Sequence, residues 1–455
     1  MHRRRAGNLA LGGRGGPDSG DHVTPPATRR LPRLDDLTPG EVAARLRHRP
    51  GFVFFDTAGN APPDRGAPVS VLAADPVEVL KGSIHDPSDR ARLTARLAER
   101  GGGAPSADRG FPAGGLCGWV DYEGAFVFGD YPEMLVHTEG GGWHETGALS
   151  ERMERVAADP VFVGPVRGTW PRERFTDGVR RIREWIAAGD IYQVNLAQHF
   201  EAEVRGSSLF PLYERLREAS PAPMAAWLSL DGREVLSSSP ETFLRISGRG
   251  IETRPIKGTR PRFADPTADR RSAVELQTSP KEIAELVMIT DLLRNDLGQV
   301  SEFGSVEVAE MLRLETLGQV HHLVSTVRGR LREEVGAVDA LAACFPGGSI
   351  TGAPKRRAME IIRELEREPR GIYCGAIGYL GYHGESQFSI AIRTIVREGG
   401  RLHFHTGAGI VADSDPDKEY EETLHKAAGI RLALERLSEP PPKLTPSRAS
   451  RKLLP

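Results

Sequence analysis

The stretch from Arg370 to Ala412, RGIYCGAIGYLGYHGESQFSIAIRTIVREGGRLHFHTGAGIVA, reads as a series of strands joined by tight turns. A helix follows at once, DPDKEYEETLHKAAGIRLALERL. Upstream the same order recurs. IYQVNLAQHFEAEV, MAAWLSLDGREVLSSSP and FLRISGRGIETRPI read as strands with turns at DG and SGRG, and SPKEIAELVMITDLLRND then reads as a helix. RERFTDGVRRIREWIAAGD is a further helix, with Phe175, Val179, Ile182 and Ile186 at helical spacing and Gly189 as its stop. Groups of strands followed by helices, without strict βαβ alternation, predict an α+β layered fold.

Two ordered regions are expected. Residues 31–165 mix short β-like runs with one helical run, PSDRARLTARLAER, and residues 166–438 carry the stronger periodicity. Residues 1–30 and 439–455 read as flexible tails rich in Pro, Ser and Arg, and Gly-rich breaks fall at 101–110 and 138–147. The 39% hydrophobic content of the 455 residues suffices for a core, and a net charge of −2 argues against a dedicated nucleic-acid or membrane binder. No run of 18 apolar residues predicts a membrane span. Cys117, Cys344 and Cys374 form no CxxC pair, which fits a reducing, cytoplasmic setting.

Several motifs carry chemistry, each with a plain alternative. In FPGGSITGAPK, Gly347 and Gly352 have P-loop spacing, but Ala353 and Pro354 stand where lysine and Ser/Thr hold phosphate and magnesium. The nucleotide reading fails. What remains is a Gly-rich loop entering a helix, with Thr351 as N-cap and Pro354 in the first turn: an anion site or an ordinary capped helix. Glu282 and Glu285 share one helix face, and Glu419, Glu422 and Lys426 share another. They are solvated surfaces, or, if opposed, a four-carboxylate cluster that needs a hard cation such as Mg²⁺.

Glu241, after Ser-Ser-Pro, is a turn residue or a buried acid able to donate a proton. Strand alternation sends His321 and His322 to opposite faces, so one of them at most reaches a given site. Arg393 in the apolar run FSIAIRTIV calls for an anionic partner. Lys257, in GIETRPIKGTRPR, is a surface lysine beside a turn or an amine nucleophile.

Seven segments occur in order: GDIYQVNLAQHF, SSSPETFL, ETRPIKGTRPR, DLLRNDLGQV, FPGGSITGAPKRRAMEII, RGIYCGAIGYLG and GAGIVADSDPDKEYEET. Through them residues 170–432 resemble the chorismate-utilising enzymes, which include the anthranilate, aminodeoxychorismate, isochorismate and salicylate synthases. The resemblance implies two β-sheets packed together with helices outside. It implies Mg²⁺ held by Glu285 and Glu422 with Glu282 and Glu419 close by, and chorismate as substrate. Tyr373 and Arg393 would hold the enolpyruvyl carboxylate. Backbone around Thr351 and Gly407, with Lys426, would complete the anion site, and His322 would orient the substrate or the leaving group.

Within the family, PIKGT with Lys257 where anthranilate synthases carry alanine, DLLRND, and FPGGSITGAPK favour the aminodeoxychorismate synthase component I branch. The alternative is anthranilate synthase component I. Gln193, where the isochorismate and salicylate synthases place a base lysine, argues against water activation. The resemblance then gives Glu241 as acid to the leaving C4 hydroxyl and Lys257 as nucleophile at C2. An attacking lysine must be neutral, well below its ordinary pKa of about 10.4, with Arg254 and Arg260 as candidate neighbours. Leu286 stands where the family often has histidine. No cysteine-centred glutaminase motif is present, so ammonia is expected from a separate glutamine amidotransferase subunit.

Overall fold

The computed structural model describes residues 28–58, 69–101, 111–157, 160–435 and 437. The tail expected at 439–455, most of that at 1–30 and most of the break at 101–110 lie outside them. Arg29–Arg30, inside the expected tail, pairs with Gly142–Thr146. The break expected at 138–147 is a hairpin: Met134–Thr138 turns through Gly140 and pairs with Gly142–Thr146.

Two antiparallel sheets form the layers. In the first, the order from Val53–Asp56 runs through Met224–Leu230, Arg233–Ser239, Thr394–Glu398 and Arg401–Ile410 to Gln193–Arg205. In the second, the order from Ile256–Pro261 runs through Val320–Arg330, Gly250–Arg254, Thr242–Ser247, Glu385–Ile390 and Ala376–Gly381 to Gly115–Val120. The regions 31–165 and 166–438 share both sheets. Val53–Asp56 pairs with Met224–Leu230, and Gly115–Val120 with Ala376–Gly381. The Asp231–Gly232 turn joins its strands with both residues at positive φ, as the DG signal predicts.

Both faces of the first sheet are covered. Ala226, Leu228 and Val235 meet Trp119, Ile377 and Tyr379 of the second sheet. Trp227 and Leu236 face the other way, against helices Pro39–Leu46, Phe210–Ala219 and Pro416–Glu435. Alternation along Met224–Leu230 thus divides one strand between two cores.

The expected helices form at Arg172–Ala187, Pro280–Gly298 and Pro416–Glu435, with Gly189 at φ +83 beyond the first. Pro266–Gln277 was not expected. Asp265 caps it by accepting from the Ala268 amide, with proline at its start. Its Asp269 receives Arg262 and His321, fastening the helix over the strand that carries Lys257.

Candidate active site

A cavity of about 470 Å³ opens between the edge of the second sheet, helices Pro280–Gly298 and Pro416–Glu435, and strand Arg401–Ile410. It gathers Lys257, Glu241, His322, Tyr373, Arg393, Gly407, Lys426, Glu282, Glu285 and Glu422. Residues from Glu241 to Lys426 therefore meet at one place, although they lie far apart in sequence.

Lys257 owes its position to a break in strand register. Lys257 pairs with Leu323 and Thr259 with His322, leaving Gly258 as the extra residue of a bulge. Gly258 has φ +70, and a Cβ there would lie 2.6 Å from Leu276 Cδ1 and 3.0 Å from Glu282 Oε2. Only glycine fits both demands. The bulge brings Lys257 Nζ to 3.9 Å from Glu285 Oε2, with both side chains largely buried.

Glu241 is buried on the same cavity wall. Burial pushes its carboxyl up to about 7, against opposing contributions from the Ser349 hydroxyl and the Lys257 charge. It is thus half protonated near neutrality, as a general acid requires. His322 is held down to about 4, first by burial and then by the Arg393 charge. Its Nδ1 lies 3.0 Å from Thr259 Oγ1 and 3.4 Å from the Gly258 carbonyl. A carbonyl accepts only, so Nδ1 carries the proton of the neutral ring and Nε2 is left as an acceptor. His321 turns away to Asp269 and Thr316, as alternation predicts.

Arg393 has φ +50 and faces the cavity, and among the described residues its guanidinium makes no ion pair or hydrogen bond. Burial alone lowers its pKa. Tyr373 stacks on His405, ring centroids 5.0 Å apart and planes 15° apart, and burial keeps its phenol protonated. A Cβ on Gly407 would sit 2.6 Å from Asn195 Oδ1 and 3.0 Å from the Tyr373 oxygen. Lys426 donates to the Gly407 carbonyl at 3.0 Å and pairs with Glu422 at 2.7 Å.

Two expected site residues stand behind the wall. Thr351 does not cap the helix. It closes the turn Gly348–Ile350 and donates to the Gly347 and Gly348 carbonyls, while the helix starts at Lys355 after an extended Pro354. Ser349 and Ile350 line the cavity in its place. Glu419 is 3% exposed, accepts from Ser414 at 2.7 Å, and leaves Oε2 buried without a partner among the described residues. Arg254 is turned away to a buried pair with Glu315, so of the two arginines only Arg260 reaches the cavity. Leu286 packs with Leu276 and Leu323 behind Glu285.

Sequence reasoning passed over Asn195, Ser349, Lys281 and His405. Lys281 carried a readable signal, since it stands four residues before Glu285 on one helix face. Among the described residues no three acidic, histidine or cysteine side chains converge as a ready metal cage. The carboxylates are spread across lysines: Lys281 lies 3.5 Å from Glu419 and 4.0 Å from Glu285. Burial raises the Glu285 pKa. For Glu422, burial is outweighed by Lys426 and its pKa falls. An all-oxygen donor set with one orphaned buried oxygen, Glu419 Oε2, suits a hard divalent cation.

A polar cavity with a poised acid, a lysine and an unpaired arginine, set at the margin of two layered sheets, marks the chain as an enzyme with a small-molecule site. It belongs to the chorismate binding enzymes, a family that matches residues 144–431. It is 50% identical over 303 residues to anthranilate synthase component 1 of Streptomyces coelicolor, covering 63% of this chain and 59% of that one. It is 48% identical over 287 residues to aminodeoxychorismate synthase component 1 of Klebsiella aerogenes, covering 63% of each. The chain thus spans about three-fifths of the length of these relatives. The crystal structure of anthranilate synthase component I from Streptococcus pneumoniae superposes with a TM-score of 0.70 at 28% identity, covering 88% of this chain and 99% of that one. Among the described residues no helix is long and apolar enough to cross a membrane, and the three cysteines are free and buried.

Proposed function

We propose that this enzyme converts chorismate and ammonia to 4-amino-4-deoxychorismate, with ammonia supplied by a separate glutamine amidotransferase subunit. The observation that carries this reading is Lys257, turned by its bulge into the cavity that also holds Glu241. Arg393 and Tyr373 bind the enolpyruvyl carboxylate. Glu285 and Glu422, with Glu282 and Glu419 nearby, hold Mg²⁺, which supplies positive charge for the ring carboxylate.

Neutral Lys257 attacks C2 of the ring, forming an Nζ–C2 bond. The two ring double bonds shift, and the C4–O bond breaks as Glu241 protonates the departing hydroxyl to water. Ammonia then bonds to C4. The double bonds return, the Nζ–C2 bond breaks, and Lys257 leaves as a neutral amine. The new C4 ammonium gives one proton to Glu241, which restores the acid. The balance is chorismate plus ammonia to aminodeoxychorismate plus water. His322 presents a neutral acceptor nitrogen to the substrate throughout.

Incubation with chorismate, Mg²⁺ and an ammonium salt should yield 4-amino-4-deoxychorismate by mass spectrometry. Fluorescent anthranilate as sole product would overturn the proposal in favour of a second reading, anthranilate synthase component I. The name of the Streptomyces coelicolor relative favours that second reading.

A further inference from the structure

Helix Pro280–Gly298 brings a cation into the middle of the carboxylate cluster. Lys281 Nζ lies 3.5 Å from Glu419 Oε1 and 4.0 Å from Glu285 Oε1. Two of the four carboxylates assigned to the metal therefore meet at this one ammonium.

The other two lysines near the cluster are anchored differently. Lys426 is tied to the Gly407 carbonyl as well as to Glu422. Lys257 is fixed by the bulge of its strand. Among the described residues the Lys281 ammonium contacts only carboxylates of the cluster, and its side chain is 40% exposed. A long, half-exposed lysine can carry its charge to solvent while its stem stays packed.

We propose that Lys281 is the resident counter-cation of this cluster, and that a divalent cation enters by displacing it. Lys281 neutralises buried carboxylates that would otherwise repel one another in the metal-free enzyme. The same charge competes with the metal, so Lys281 sets a low intrinsic affinity for Mg²⁺. The orphaned Glu419 Oε2 is a donor that Lys281 leaves unused and a metal ion can recruit. This inference rests on the metal assignment made above.

The test is calorimetric titration of the substrate-free protein with Mg²⁺, with Mn²⁺ paramagnetic resonance as a second readout. Lys281→Gln should tighten metal binding about tenfold or more, while Lys281→Arg should keep the wild-type affinity. Arg356→Gln, which removes an exposed charge on helix Lys355–Glu366, is the control and should bind as wild type. Equal Mg²⁺ affinity in wild type and folded Lys281→Gln would overturn the role of Lys281 and leave the metal site standing. Absence of binding in both, or binding that survives Glu285→Ala with Glu422→Ala, would overturn the metal assignment itself.

Discussion

Lys257 Nζ lies 3.9 Å from Glu285 Oε2 and Arg260 lies 4.0 Å from Glu282 Oε1, so the bulged strand and helix Pro280–Gly298 meet at the cavity through two pairs of opposite charge. The proposed nucleophile is thus set inside the cavity, beside a carboxylate of the helix. Lys257→Ala should therefore abolish the C4-aminated product or divert chorismate to anthranilate. Product analysis with ammonium as nitrogen donor decides this. C4 amination at the wild-type rate would refute the covalent role.

Glu241 makes a prediction with a worked sign. Its folded pKa of about 7 lies above the ordinary 4.5. Between those values the folded protein keeps a proton that the unfolded chain has released. Folding stability therefore falls as pH rises from 4.5 to 7, by up to roughly 3 kcal/mol, and is level beyond. Activity that needs the protonated acid should decline about tenfold per pH unit above 7. Glu241→Gln should lose turnover and gain stability relative to wild type at pH 8 but not at pH 4. Thermal melts at both pH values, with a pH–rate profile, check the pair of effects.

Gly258→Ala should damage both stability and chemistry. Its φ of +70 costs a residue with a Cβ about 1–2 kcal/mol, and the close approach to Leu276 and Glu282 adds overpacking of about 1–3 kcal/mol. Gly232→Ala is the comparison. It has φ +74 but, among the described residues, nothing within 4 Å of the added carbon. Denaturant melts of the two variants separate backbone strain from steric push, and only Gly258→Ala should also lose activity by moving Lys257.

Much of this site was legible because each motif carries a local demand. Alternation alone separated His321 from His322, and apolar surroundings marked Arg393 as an arginine awaiting an anion. The bulge was not legible. PIKGT offers no period to break, and regular alternation would have sent Arg254 and Lys257 to opposite faces without saying which enters a cavity. Thr351 misled for a related reason. Its place before a helix resembles a cap, yet its hydroxyl is satisfied within the preceding turn, and Asn195 takes its carbonyl. The layering was readable from strand runs. The sharing of both sheets by the two regions was not, since strand pairing over more than a hundred residues leaves no mark in local pattern.

Arg393 supplies the last prediction, in which binding and stability move in opposite directions. Its guanidinium is partly desolvated and without a partner among the described residues, while its charge helps hold His322 neutral. An unpaired, half-buried charge opposes folding, so Arg393→Met should leave the melting temperature unchanged or raise it. Loss of charge-assisted hydrogen bonds to a substrate carboxylate, worth about 1.5–3 kcal/mol, should lower kcat/KM about 10- to 150-fold, chiefly through KM. Arg393→Lys keeps the charge but not the planar fork, and should recover part of the loss. Steady-state kinetics beside thermal melts read both effects. A destabilised Arg393→Met with unchanged KM would mean that the arginine serves the fold and not the ligand.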